Sequence, residues 1–223
     1  MQEIEINKKI ETFNYINTPR KRLIYDCSKR GFDIISSLIA IIIFSPILVT
    51  IIFLVKFDSK GPAVFGHTRI GRNGIKIRVY KFRTMVENAQ EILDNFSKEQ
   101  KKEFEKNFKL ENDPRITRIG KFLRETSLDE LPQLFNILIG SMTVVGPRPI
   151  VEKEIEKYGI YGEKLLSVKP GLTGLWQASG RSDTTYEERV IMDMEYIDKR
   201  SFCCDIWIIF KTIGAVFKRE GAK

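Results

Sequence analysis

The sequence contains very little histidine and cysteine. His67 is the only histidine among 223 residues, and the three cysteines, Cys27, Cys203 and Cys204, show no paired spacing. Catalysis by paired imidazoles and a metal site of several histidines are therefore excluded, and neither a disulfide framework nor a zinc site is indicated. The thiols fit buried positions in a reducing compartment. Acid, base or nucleophilic chemistry must rest on carboxylates.

The common nucleotide-binding fingerprints are also missing. The chain has no G-x-G-x-x-G and no G-x-x-x-x-G-K-[ST] sequence. Two loops are nevertheless dense in glycine and proline, at 145–149 and at 169–182. Loops of this composition fix unusual backbone shapes and expose amides, which suits phosphate or nucleotide contact but also ordinary turns.

Uncharged runs long enough to cross a bilayer as a helix are absent except for one, the 22 residues from Ile34 to Val55. As a helix this run covers roughly 33 Å at ~1.5 Å per residue, enough to reach across a bilayer. A signal peptide is disfavoured, because roughly thirty mostly polar residues precede the run and no small-residue cleavage site follows it. We predict a polar N-terminal leader at 1–28, a retained membrane helix at 29–56, and a catalytic domain at 57–223 that forms one structural unit with the helix.

Positive charge surrounds this apolar run on both sides. Residues 1–83 carry 15 basic and 6 acidic side chains, whereas residues 84–223 carry 22 and 23. Basic flanks favour the cytoplasmic side, and only a hairpin keeps both flanks there. Ser45 and Pro46 lie at the centre, where proline commonly bends a helix. The pattern predicts a re-entrant helix kinked at this dipeptide, and an ordinary kinked spanning helix is the alternative.

The rest of the chain favours a mainly helical α+β fold. Alternating residues and glycines at 63–84 predict a small β-hairpin, and the apolar spacing at 86–110 predicts one or two amphipathic helices. An apolar stripe beside four basic residues at 115–124 predicts a helix that lies on the membrane surface or faces the core. A last amphipathic helix at 202–217 is too short to span, so it lies in the interface or packs against the anchor. Because this domain is near neutral, no nucleic-acid partner is expected.

The clearest local pattern is the acidic pair Asp129-Glu130. Ser127 and Glu130 have the spacing of a capping box, which predicts that both acids occupy the first turn of a helix, where the macrodipole keeps carboxylates ionised. Pro132 leaves a second possibility open, that the helix starts nearer to it. An ionised carboxylate can attack a substrate or bind a metal ion, although such a pattern is most often only a helix cap.

Six segments in order resemble the monotopic phosphoglycosyl transferases, the bacterial sugar transferases that start capsule, O-antigen lipopolysaccharide and exopolysaccharide synthesis. The similarity runs from about Lys29 to the C-terminus. It rests on residues 29–33, 45–46, 80–85, 126–134, 146–149 and 169–182.

The resemblance implies a monotopic enzyme on the cytoplasmic face of the bacterial inner membrane, with a re-entrant helix kinked at Ser45 and Pro46. It implies that a sugar 1-phosphate moves from a UDP-sugar to undecaprenyl phosphate. Asp129 matches the family's nucleophile, which attacks the β-phosphate, releases UMP and carries the phosphosugar. Glu130 matches the ligand of a magnesium ion, Mg2+. A covalent relay is physically reasonable, because a lipid and a water-soluble substrate can then use one site in turn, with ping-pong kinetics.

Other residues within the region of similarity are candidates for binding the substrates. Arg124 and Arg148 are expected to clamp phosphate, since a guanidinium offers paired donors. The further candidates are Lys81 and Arg83 for the same phosphates, Arg181 and Gln177 for the nucleotide, Lys29 and Arg30 for the carrier phosphate, and Asp193 as a supporting group. Each of these side chains taken alone fits a solvated or structural role equally well.

Three questions stay open at this level. The stretch 169–189 resembles the branch of the family that transfers hexose 1-phosphates, closest to galactose or glucose phosphotransferases, and an N-acetylated or diamino sugar is the alternative. A noncatalytic membrane scaffold that recruits partners through amphipathic helices is the alternative of a different class. The sequence is compatible with an oligomer without deciding it.

Overall fold

The computed structural model describes residues 23–97, 100–101, 110, 113–180 and 184–217. Most of the predicted leader and Arg181 lie outside these residues. The elements in chain order are α1 (Leu23–Asp58), β1 (Val64–Ile70), β2 (Lys76–Phe82), α2 (Ala89–Asp94), α3 (Arg118–Glu125), α4 (Gln133–Ile139), β3 (Thr143–Val145), α5 (Ile155–Tyr158), α6 (Gly162–Leu166), β4 (Gly171–Thr173), α7 (Leu175–Ala178), α8 (Tyr186–Lys199) and α9 (Phe202–Phe217). Short 3-10 turns cover Arg72–Gly74, Leu128–Glu130, Glu152–Glu154 and Gly159–Tyr161. The predicted mainly helical α+β fold is confirmed.

Helix α1 is long and apolar enough to cross a membrane by length and composition. It starts at Leu23, ahead of the predicted boundary at 29, and ends at Asp58. Both of its ends pack on the rest of the protein: Asp33 is buried in the first half, and Ile51 and Val55 in the second. All residues at 42–47 between them are exposed. The helix therefore contacts the domain at two places and presents an apolar middle.

The helix runs through Ser45 and Pro46 without interruption. Proline has no N–H to donate to the carbonyl of Ile42, one turn earlier. The hydroxyl of Ser45 donates to that carbonyl at 2.8 Å, and the hydroxyl of Thr50 donates to the carbonyl of Pro46 at 2.8 Å. Side-chain hydroxyls thus satisfy the backbone around the proline, which matters most where no water is available.

The predicted β-hairpin is confirmed. Strands β1 and β2 pair antiparallel, with Val64 opposite Phe82. Phe82 is buried and joins a cluster with Leu123 of α3 and with Ile51 and Val55 of α1. The hairpin is thereby fixed between α1 and α3.

Helix α3 contains most of the apolar stripe that was predicted at 115–124. Thr117 caps its start, where the hydroxyl accepts from the amide of Gly120 at 2.9 Å. Leu123 is fully buried against the cluster that holds α1, whereas Phe122 is half exposed. The helix therefore faces the core with Leu123 and leaves an aromatic ring on the surface. Of the helices predicted at 86–110, α2 is described, and the later apolar residues Phe104 and Phe108 lie outside the described residues.

A second core lies under the C-terminal half of the chain. Strands β3 and β4 pair in parallel, Thr143 with Gly171 and Val145 with Thr173, a pairing that the sequence did not suggest. Val145 packs with residues of α8 and with Ile208 of α9. Helix α9 has the predicted bounds, buries Ile208 completely and exposes Trp207 and Phe210. Its exposed side is therefore partly apolar.

Candidate active site

The acidic pair lies in a tight turn between two helices. Helix α3 ends at Glu125, the 3-10 turn Leu128–Glu130 follows, and α4 starts after Pro132. The predicted capping box is wrong, because Ser127 has φ +57°, in the left-handed region, and its hydroxyl makes no cap hydrogen bond. This conformation is costly for a residue with a side chain. It reverses the chain and brings both carboxylates to one place, near the start of α4 as the alternative predicted.

Two cations hold Glu130. Lys81 of β2 donates to Glu130 Oε1 at 2.6 Å, and the Nη1 and Nη2 atoms of Arg148 each lie 3.3 Å from the same oxygen. Burial alone would raise the pKa of Glu130, but the charges of Lys81 and Arg148 lower it to about 2. This carboxylate is therefore ionised throughout the physiological range.

Asp129 has the opposite electrostatic situation. Its exposed fraction is 9%, and the nearest cation is Lys81, whose Nζ lies 3.6 Å from Oδ2. Burial raises the pKa of Asp129, Lys81 opposes that rise, and the charge of Glu130 adds to it. A carboxylate of raised pKa is a better nucleophile when ionised than one held by two cations. The two neighbouring acids are therefore prepared for different roles.

Arg124 stands beside this pair without being tied to it. Its Nε donates to the hydroxyl of Thr84 at 2.9 Å. Within the described part of the chain, its Nη1 and Nη2 atoms make no hydrogen bond or ion pair. Burial lowers the pKa of Arg124, while the charge of Asp129 raises it. A guanidinium with two uncommitted nitrogens near a buried acid is suited to an anionic ligand.

The two glycine-rich loops pack backbone against backbone. A Cβ atom on Gly171 would lie 2.1 Å from the amide nitrogen of Gly146, and one on Gly174 would lie 2.3 Å from the carbonyl of Gly146. The amide of Gly146 donates to the carbonyl of Thr173 at 2.8 Å. Such distances leave no room for side chains. The loops that seemed suited to phosphate contact therefore serve at these glycines to bring Arg148 close to Glu130.

Comparison with known proteins identifies the family of the chain. The model of the bacterial sugar transferase family matches residues 24–219, nearly the whole chain. The chain belongs to the bacterial sugar transferase family.

Three relatives illustrate the range of this sugar transferase family. The chain is 50% identical over 197 residues to an undecaprenyl-phosphate galactose phosphotransferase of Salmonella typhimurium, covering 87% of this chain and 41% of that protein. It is 46% identical over 198 residues to the exopolysaccharide production protein ExoY of Rhizobium meliloti, covering 87% and 88%. It is 40% identical over 204 residues to a UDP-glucose:undecaprenyl-phosphate glucose-1-phosphate transferase of Escherichia coli, covering 87% and 41%. The chain thus spans about two fifths of several relatives that it matches.

Three basic residues predicted to meet phosphates have structural partners within the protein. The guanidinium of Arg83 is buried and donates to the carbonyls of Val55, Ser59 and Pro62, at the C-terminal end of α1. Arg30 donates to the carbonyls of Ile137 and Leu138 at the end of α4, at 2.7 and 2.8 Å.

The third, Lys29, forms a 2.6 Å ion pair with the buried Asp205 of α9. The guanidinium groups of Arg83 and Arg30 complete the carbonyl ends of helices, where positive charge is favourable. All three residues attach α1 to the domain. The structure brings none of them to the acidic pair, whereas it brings Lys81 and Arg148 there.

Asp193 lies in a separate buried group. Its exposed fraction is 1%, and Tyr158 donates to its Oδ2 at 2.7 Å, with Arg189 Nε 3.8 Å away. Burial raises its pKa to about 6, against the effects of Arg189 and of the Tyr158 hydrogen bond. Gln177 is buried on α7. The roles predicted for Asp193 and Gln177 remain predictions.

Two residues that were not predicted from the sequence, Arg69 and Glu154, connect the β-hairpin to the buried group around Asp193. Glu154 lies 3.5 Å from Arg69 and 3.4 Å from Arg189, so it joins β1 to α8. Arg69 lies opposite Ile77, four residue pairs from the pair Phe65 and Lys81. Because residues two apart in a strand share a face, alternation within the predicted hairpin could have placed Arg69 on the face of Lys81. No local signal pointed to Glu154.

The site's donor atoms suit a hard cation. Among the described residues, no group of three or more His, Cys, Asp or Glu side chains could hold a metal ion. The available ligands are the carboxylates of Asp129 and Glu130. Mg2+ is commonly bound through one or two carboxylates, with substrate phosphates and water as the other ligands. The residues present therefore fit Mg2+ in the company of a phosphate substrate.

Proposed function

We propose that this protein transfers a hexose 1-phosphate from a UDP-sugar to undecaprenyl phosphate, which yields undecaprenyl-diphosphate-sugar and UMP. The observation that carries the proposal is the pair Asp129 and Glu130, whose pKa values are moved in opposite directions while Lys81 contacts both. The named relatives include transferases of galactose and glucose phosphates to this lipid, which supports a hexose donor.

In the first step, an oxygen of the Asp129 carboxylate attacks the β-phosphorus of the UDP-sugar. The bond from that phosphorus to the oxygen bridging the two phosphates breaks, and UMP leaves with the electron pair. The sugar phosphate is then joined to Asp129 as an acyl phosphate. In the second step, a phosphate oxygen of undecaprenyl phosphate attacks the same phosphorus and releases the Asp129 carboxylate. The donor and the acceptor use the site in turn.

The basic side chains around the pair offset the negative charge of the diphosphate. Arg124 offers two uncommitted nitrogens, and Arg148 already lies at hydrogen-bonding distance from Glu130. Both guanidinium groups are suited to hold the phosphates in line with Asp129. Bound at Glu130, Mg2+ would neutralise charge on the diphosphate and stabilise the leaving nucleotide. Lys81 orients the two carboxylates relative to each other.

We further propose that α1 is a re-entrant membrane helix and that the domain faces the cytoplasm at the bacterial inner membrane. Two contacts support this arrangement. Asp33, in the first half of α1, accepts from Thr143 and Val144 of β3. Val55, near the end of α1, binds Arg83. Both halves thus attach to one domain, and the exposed apolar residues at 42–47 lie between the attachments, as a hairpin dipping into lipid requires.

The enzymatic proposal is tested with purified protein, Mg2+, undecaprenyl phosphate and a panel of UDP-sugars, with released UMP as the measurement. Release with UDP-galactose or UDP-glucose is expected. With donor alone, mass spectrometry should find a hexose phosphate on Asp129, and Asp129→Asn should abolish both the adduct and turnover. Release of UMP only with N-acetylated or diamino UDP-sugars would replace the hexose in the proposed reaction by one of those sugars. If no UDP-sugar gives UMP, the alternative of a noncatalytic membrane scaffold is favoured.

The topology is tested separately by cysteine labelling in intact cells. A single cysteine introduced before Ile10 and a second in the domain, in a background without Cys27, Cys203 and Cys204, should both resist an impermeant reagent. Labelling of the first position from outside would show a spanning helix instead.

A further inference from the structure

A buried amide connects the acidic pair to the strand that carries Lys81. Asn136, in the middle of α4, has an exposed fraction of 1%. Its Oδ1 accepts from the amide of Tyr80 at 2.8 Å, and its Nδ2 donates to the carbonyl of Arg78 at 2.7 Å. The side chain therefore pairs with β2 as a neighbouring strand would.

These contacts lie at the edge of β2 that β1 does not use. Strand β1 pairs with β2 along one side, and in an antiparallel pair alternate residues turn their backbone groups to the other side. Backbone groups at such an edge need partners when they are buried. Asn136 supplies one acceptor and one donor from a single side chain, so it sets both the position and the register of β2 along α4.

The register decides where Lys81 points. Lys81 directly follows Tyr80, and its Nζ reaches Glu130 at 2.6 Å and Asp129 at 3.6 Å. Since the acidic pair precedes α4 by a few residues, Asn136 and the pair belong to one rigid segment. A slip of one residue would turn Lys81 to the opposite face of the hairpin.

Asn136 also fixes the chain that leads to β3. Its own carbonyl accepts from the amide of Met142 at 3.1 Å, and its Nδ2 donates to the hydroxyl of Ser141 at 3.1 Å. One residue thus contacts three segments: α4, β2 and the turn before β3.

We propose that Asn136 is a positioning residue that holds Lys81 against the acidic pair. It touches no substrate and acts through β2. The inference rests on the proposed function only for its kinetic test, because the register of β2 can be measured without turnover.

The kinetic test is a double-mutant cycle of Asn136→Ala and Lys81→Ala, with UMP release as the measurement. Asn136→Ala should lower kcat by about 10-fold or more with the KM for the UDP-sugar within about twofold, because misplacing a catalytic group by about an ångström is that costly. In the Lys81→Ala background it should add less than about twofold, since the group that it positions is gone. Additive losses, or a folded Asn136→Ala variant of wild-type kcat, would overturn the proposal.

Two further variants separate positioning from loss of packing. Ile137→Val removes a methyl group from the adjacent buried position and leaves both hydrogen bonds to β2 in place, so kcat should stay within about twofold of wild type. Asn136→Asp keeps the acceptor for Tyr80 and nearly the same volume but replaces the donor to Arg78 by a second oxygen, so it serves if the alanine variant fails to fold. Because an ionised carboxylate repels the carbonyl of Arg78, kcat should again fall by about 10-fold or more, and a folded Asn136→Asp variant of wild-type kcat would overturn the proposal.

Hydrogen exchange provides the readout that does not depend on catalysis. Asn136→Ala should speed amide exchange in the peptide 76–82, while Ile137→Val should leave it unchanged. Unchanged protection of this peptide in Asn136→Ala would contradict the inference even if the wild-type protein releases no UMP. Absence of UMP together with faster exchange would instead count only against the proposed function.

Discussion

Lys81 and Glu130 form a 2.6 Å ion pair that joins the β-hairpin to the acidic turn. The same ammonium group lies 3.6 Å from Asp129. Lys81 is the one residue of the segment 80–85 that reaches the pair, since Phe82 lies in the core and Arg83 binds the end of α1. Consecutive residues of this segment thus contact three different parts of the molecule: Lys81 the acidic turn, Phe82 the core and Arg83 the end of α1.

Replacement of Lys81 by methionine should abolish most of the activity while the fold is kept. Without the ammonium group, both carboxylates lose their nearest positive charge, and the pKa of each should rise. We expect UMP release to fall by about 100-fold or more. Lys76→Met is the matched control, because Lys76 lies on the same strand and forms an exposed ion pair with Glu152. A Lys81→Met enzyme as active as this control would contradict the assignment.

Arg83→Lys should lower stability rather than substrate affinity. An ammonium group cannot reach the carbonyls of Val55, Ser59 and Pro62 at once, so buried acceptors at the end of α1 lose partners. We expect a loss of about 2–4 kcal/mol in unfolding free energy. Thermal unfolding in detergent should show it, with Arg78→Lys, exposed on the same hairpin, as the control. A raised KM for the UDP-sugar at unchanged stability would restore the phosphate role predicted from sequence.

Gly120→Ala should be severely destabilising. A Cβ atom at this position would lie 2.1 Å from the carbonyl oxygen of Thr84, and backbone cannot move away cheaply. We expect a loss of about 2 kcal/mol or more, and lower activity because Thr84 holds Arg124. Gly214→Ala, in a helix with nothing within 4 Å, should instead be neutral or gain up to about 1 kcal/mol. Equal unfolding midpoints for the two variants would show that this contact is not tight.

Asp193→Asn should remove a pH dependence of stability. The folded-state pKa of Asp193 is raised to about 6 from an ordinary value of 3.8. Between these two pH values Asp193 is protonated in the folded state and ionised in the unfolded chain. Its contribution to stability is therefore present at low pH and is lost as pH rises through about 6. The difference between the two pKa values corresponds to about 3 kcal/mol of unfolding free energy.

Unfolding midpoints measured from pH 4 to pH 7.5 check this expectation. The wild-type midpoint should fall relative to that of Asp193→Asn as pH rises, with most of the change below about pH 6.5. Parallel curves for the two proteins would show that folding does not raise the pKa of Asp193.

Several parts of the fold were predictable because they depend on neighbours in sequence. The hairpin at β1 and β2 and the bounds of α9 follow from alternation and helical spacing, which short segments carry by themselves. The pair Asp129-Glu130 was recognisable as the centre of the site. Its local shape was not, because the S-x-x-E spacing of Ser127 and Glu130 normally indicates a cap, and here Ser127 adopts a left-handed conformation instead.

The basic residues show where prediction from sequence stops. Lys81, Arg83, Arg124 and Arg148 looked alike as candidates, since each is a cation within the region of similarity. Their partners distinguish them: Lys81 and Arg148 bind Glu130, whereas Arg83 binds backbone carbonyls. Asn136 gave no signal at all, because a polar residue in an apolar helix reveals its role only when the opposite strand edge is known.

The sequence by itself determined the long apolar helix, the near-neutral domain attached to it and the acidic pair, because composition, spacing and family motifs are properties of the chain. Only the tertiary structure decided which charges meet. A cation stabilises a helix end or a catalytic carboxylate according to the few ångströms around it, and segments as far apart as β2, α4 and β3 set those distances by packing together.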